Sequence, residues 1–133
     1  MRLRSNARLS FSIALAMVSS CTAAGDSGSS SECRTVPCKA ATLDQGTYVA
    51  PDDPVIFEYQ QAFEALQKNC SDSEERLADM AVVSQQQMQE RGVTESLLSI
   101  LEAVDASIPA RLSQKTCADI FASYVVLRTA SPN

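Results

Sequence analysis

Cysteines carry most of the chemistry open to this chain, and they stand at positions 21, 33, 38, 70 and 117. Several cysteines together can make a metal site, a dithiol redox pair or disulfides. A zinc site needs closely spaced thiolates or histidines, and a redox pair needs C-x-x-C. The sequence contains no histidine and no C-x-x-C; its nearest pair, Cys33 and Cys38, has four residues between them. Disulfides are the chemistry that fits, with no metal and no cofactor expected. An odd number suits an oxidising compartment badly, because one thiol stays reactive. Removal or modification of Cys21 leaves Cys33, Cys38, Cys70 and Cys117, enough for two bonds.

Other catalytic arrangements find no support. Without histidine there is no imidazole base and no Ser-His-Asp triad. No G-x-S-x-G elbow, phosphate-binding glycine loop or EF-hand pattern occurs. Paired carboxylates can hydrolyse a glycosidic bond. Here the acidic clusters, Asp52/Asp53 and Asp72/Glu74/Glu75, fall where helix starts need acid, which gives them a capping role. The expectation is a non-enzymatic protein. Gln85, Gln86, Gln87 and Gln89 read as a solvated helix face or a polar binding strip. Tyr48, Tyr59 and Tyr124 read as core or hydrogen-bonded residues.

The N-terminus reads as an address. Arg2, Arg4 and Arg8 precede Leu9–Val18, LSFSIALAMV, an apolar run of about ten residues. As a helix that run is about 15 Å long, half the hydrocarbon core, so it suits a signal peptide and not a membrane span. Val18-Ser19-Ser20-Cys21 follows, and this resembles the lipobox of bacterial lipoproteins: an aliphatic residue and two small ones before a cysteine. The resemblance covers these four residues and the apolar run only. It implies cleavage before Cys21, lipidation of Cys21, and a bilayer as partner through that lipid. Thr22, a non-Asp residue after the cysteine, implies the outer membrane in enteric-type bacteria. The alternative is ordinary cleavage after Thr22-Ala23-Ala24, which gives a secreted or soluble periplasmic protein starting at Gly25.

Maturation also changes charge. The full chain has 11 Lys+Arg and 16 Asp+Glu, net −5; residues 1–20 hold three of the basic residues and no acid, so residues 21–133 carry −8. Such a domain is ill-suited to nucleic acid or anionic headgroups, and a basic partner is the expectation.

The elements that hold these residues follow from punctuation and periodicity. Residues 1–20 are the signal peptide. Residues 21–32 are a flexible Ser/Gly-rich tether with an r.m.s. reach of about 18 Å. Residues 33–52 are an irregular segment with a possible short strand at Thr47–Val49. Residues 53–129 form a bundle of about four short helices. Asp53-Pro54 starts the first helix, with Ile56, Tyr59, Phe63 and Leu66 on its inner face. Ser71 or Asp72 caps the second, lined inwardly by Leu77, Met80, Ala81, Ser84 and Met88 and stopped at Gly92. Thr94 caps the third, with Val93 and Leu98 as a hydrophobic staple and Leu97, Leu101, Val104 and Ile108 inside. Thr116 opens the fourth. Its sequence CADIFASYVVL is apolar nearly all round, as a central helix buried by the others would be.

The fold class is therefore all-α: a small helical bundle with an irregular, disulfide-tied N-terminal segment. Three pairings of the four cysteines are possible. Crossed bonds from Cys33 and Cys38 to the bundle would explain why an irregular segment stays attached. Function is read as an envelope-tethered binding, scaffold or inhibitor lipoprotein docking on an envelope protein. The alternative is an acid-stress holdase, whose carboxylates neutralise near pH 4 and loosen the bundle.

Overall fold

The computed structural model describes residues 32–109 and 116–130. Cys21, residues 1–20 read as a signal peptide, and nearly all of the segment read as a tether lie outside the described residues. The described chain is five α-helices: α1 Val36–Gln45, α2 Pro54–Asn69, α3 Glu74–Gln89, α4 Leu97–Ser107 and α5 Ala118–Ala130. No strand occurs among the described residues, Thr47–Val49 included.

The all-α bundle is thus as read, with one helix more, because the N-terminal segment is itself helical over α1. The local physics is plain in retrospect. Thr35 is the N-cap and its Oγ1 accepts from the Cys38 N–H. Pro37 sits in the first turn, where its missing N–H costs nothing. Gly46 closes the helix at φ 66°, a left-handed value that a side chain would strain. α1 buries Ala40 and Ala41 against the core, and small residues give a weak periodic signal.

Caps at the later helices are shifted by competition for side chains. Asp53 caps α2 as expected, its Oδ1 accepting from the Val55 N–H at 3.0 Å. α3 is capped by Ser73, whose Oγ accepts from the Arg76 N–H, and not by Ser71 or Asp72. Asp72 is drawn away to the start of α5, as described below. α4 is capped by Ser96, accepting from the Ser99 N–H at 3.1 Å, and not by Thr94. That shift moves the helix start past the Val93–Leu98 staple register, because Glu95 is held in the preceding loop by three other residues. Gly92 is left-handed at φ 80°, and the Val93 N–H returns to the Met88 carbonyl, closing the end of α3.

The largest correction concerns which helix is central. Among the described residues α3 and α4 each touch all four other helices, whereas α5 packs only on those two. Leu97, Ile100, Leu101 and Val104 of α4 are fully buried, with Tyr59, Phe63, Leu66, Leu77 and Met88 around them. α5 buries Phe121 and Val125 alone; Val126 and Leu127 are 59% and 69% exposed. An apolar circumference on α5 therefore does not mark a central position in this bundle.

Candidate functional site

The disulfides are local and long-range, not crossed. Cys33 bonds Cys38, and Cys70 bonds Cys117, with Cα–Cα distances of 5.4 and 5.6 Å. The crossed reading is overturned because the N-terminal segment needs no external strap: its helix packs on the core by itself. Cys33–Cys38 instead clips the chain entering α1 to that helix's first turn. Cys70–Cys117 joins the end of α2 to the start of α5 and is buried.

Asp72 lies beside that second bond. Its Oδ2 accepts from the Cys117 N–H at 2.7 Å, its Oδ1 from the Thr116 hydroxyl at 3.1 Å, and it pairs with Arg76 at 3.1 Å. Cys70, Asp72 and Cys117 are a group of metal-capable residues within 4.8 Å. With both sulfurs bonded to each other and the carboxylate accepting from three donors, the group serves as the joint between α2, α3 and α5.

A second polar joint runs across the bundle. Tyr59 of α2 donates its hydroxyl to the Asp44 carboxylate of α1. Gln85 of α3 donates to Asp44 Oδ1 at 3.1 Å and to the Glu95 carbonyl at 2.8 Å. Glu95 then accepts from Tyr124 at 2.6 Å and pairs with Arg128, both on α5. Gln85, read from sequence as part of a solvated face, is the hub of this chain, and nothing in a glutamine run marks one member as inward. Burial, and then the neighbouring carboxylates, raise both phenols: Tyr124 is pushed up to about 12, and Tyr59 is raised further.

With these acids committed to joints and caps, the surface offers grooves. α3 has one on each side. Toward α1, Val36, Ala40 and Leu43 face Ala78 and Val82 across a groove of about 220 Å3, rimmed by Lys39, Glu75 and Asp79. The apolar residues recur at i, i+4 and i+7 on α1 and at i and i+4 on α3, the spacing that receives an apolar helix or short segment. Leu43 stands 58% exposed on its edge. Toward α5 lies a groove of about 370 Å3, more polar, lined by Arg76, Asp79, Met80, Gln87 and Phe121 among others. At the start of α3, burial and then the charges of Glu75 and Glu64 hold the Glu74 carboxyl above its usual range.

Sequence reasoning placed no site here because one wall, α1, was read as irregular chain. No family model, curated protein or solved structure matches this chain.

Proposed function

We propose that this chain is a non-catalytic docking module of the bacterial envelope, held to a bilayer by a lipid on Cys21 and presenting the α1–α3 groove to a basic partner. The groove carries the reading: an apolar floor built from two helices, with a rim that has two acids to one lysine. Its occupant would be an amphipathic or apolar segment flanked by Lys or Arg, attracted by the net charge of −8 on residues 21–133. The lipobox-like Val18–Cys21 supports the anchor. The helix α1 begins close behind the tether, so the groove would lie on the tethered side of the bundle's sequence. No described helix is long and apolar enough to cross a membrane.

A second reading, the acid-activated holdase, draws on the polar chain across the bundle. Asp44 and Glu95 are its acceptors, and their charge-assisted hydrogen bonds join α1, α2, α3 and α5. Affinity capture from crosslinked envelope separates the two, using the processed protein at pH 7 and near pH 4. A single stoichiometric partner at pH 7, lost with Leu43→Glu, supports the docking module. Nothing at pH 7 and many unrelated clients at the lower pH supports the holdase and overturns the docking reading.

A further inference from the structure

Ser84 is a buried polar residue that the protein itself leaves unanswered. It is 4% exposed, on the inner face of α3. Helix hydroxyls commonly turn back to the carbonyl four residues earlier, as Ser107 and Thr129 do here. The Ser84 hydroxyl makes no such bond and has no other hydrogen-bond partner among the described residues. Buried polar groups rarely stay so. Nor is it sealed in, because Ser84 lines the groove of about 370 Å3 between α3 and α5.

The rest of that groove suits a small molecule, and its volume lies in the range of small-ligand sites. On α5, Ala118 and Ala122 stand either side of Phe121, and their short side chains leave the space. Phe121, 2% exposed, and the partly buried Met80 give an apolar floor, an aromatic ring with an adaptable thioether. At one end Arg76 already pairs with Asp72 at 3.1 Å and Asp79 adds a second acid, so no unanswered positive charge awaits an anion. At the floor every group is neutral, and a charged ligand group would lose its water there without a counter-charge.

Two neutral groups remain to orient a ligand. Ser84 and Gln87 are one turn apart on one face of α3, Ser84 at the floor and Gln87 exposed at the rim. A hydroxyl donates and a carboxamide oxygen accepts. A trans secondary amide points its C=O and N–H in opposite directions, so its carbonyl can reach down to Ser84 while its N–H meets Gln87.

We propose that the α3–α5 groove binds a neutral secondary amide carrying an apolar group, held by Ser84 and Gln87 over Phe121 and Met80. This site is separate from the α1–α3 docking groove and does not depend on it. N-benzylacetamide is the probe, titrated into isotope-labelled processed protein and followed by backbone amide NMR shifts. Saturable shifts should centre on residues 80–87 and 118–122, with a Kd of about 1 mM for so small a ligand. Benzyl acetate, which lacks the N–H, should bind about fivefold more weakly. Ser84→Ala should raise Kd for the amide about tenfold without lowering Tm, since the hydroxyl it removes has no partner in the protein. Ala122→Met fills the groove and should abolish the shifts, whereas Leu43→Glu should leave Kd unchanged. No saturable shift up to about 10 mM, or shifts centred on the α1–α3 groove, overturns the proposal. So does an equal Kd for wild type and Ser84→Ala, or an ester that binds as tightly as the amide.

Discussion

Single residues at the joints of this bundle do more than fill space. Asp72 has a side chain only 4% exposed, and it answers a backbone N–H, a hydroxyl and a guanidinium from two other segments. Asp72→Ala would leave the Cys117 N–H without its acceptor at the buried start of α5. The expected cost is about 1–3 kcal/mol in urea unfolding with both disulfides intact. The phenols give a second residue-scale prediction. Tyr124, pushed up to about 12, stays protonated where a tyrosine in the unfolded chain has already ionised near 10. Between those values the folded state binds more protons than the unfolded one. Tyr124's contribution is therefore present in full below pH 10 and is lost as pH rises through about 12. Ultraviolet titration of tyrosinate should show Tyr124 ionising late, and Tyr124→Phe should remove that step. A Tyr124 that ionises near 10 would mean that its burial and the Glu95 contact are not kept in solution.

At the scale of elements, the two disulfides differ in what they constrain. Loop-closure entropy assigns about 4 kcal/mol to Cys70–Cys117, with a separation of 47, and about 2 to Cys33–Cys38, with a separation of 5. Replacing each pair by serines and measuring urea midpoints should reproduce that order. Loss of the long-range bond should leave the bundle near its folding limit, since a core this small has little surplus. An equal or reversed order would mean Cys33–Cys38 holds α1 in place against a competing state.

The same elements show what was legible in the amino-acid order. α2 and α3 were, because Tyr59, Phe63, Leu66, Leu77, Ala81 and Met88 recur at helical spacing and do go inside. α1 was not, although Thr35, Pro37 and Gly46 punctuate it correctly, because alanines carry its buried face. The caps at Ser73 and Ser96 were missed by one or two residues, because long-range partners claim Asp72 and Glu95 and local spacing cannot see them. α5 was legible as a helix and misleading as to place. Its apolar residues run nearly all round, but Phe121 and Val125 alone are buried, while Val126 and Leu127 stand exposed.

For the whole molecule, charge sets the frame. Residues 21–133 carry −8, so an acidic partner meets repulsion before it meets the groove and a basic one is drawn in. On the proposed lipid anchor, a tether with a reach of about 18 Å would confine the search to the layer next to the bilayer and raise the effective concentration of anything anchored there.

Photocrosslinking in the producing cells tests the central claim most directly. A short photoreactive residue replaces Leu43 at the groove edge, with Phe57, also exposed, carrying it in a parallel strain. The account predicts one discrete adduct from position 43, containing an envelope protein joined through a segment rich in Lys or Arg, and none of that mass from position 57. The same diffuse background from both positions, or an adduct from position 57 alone, would contradict it.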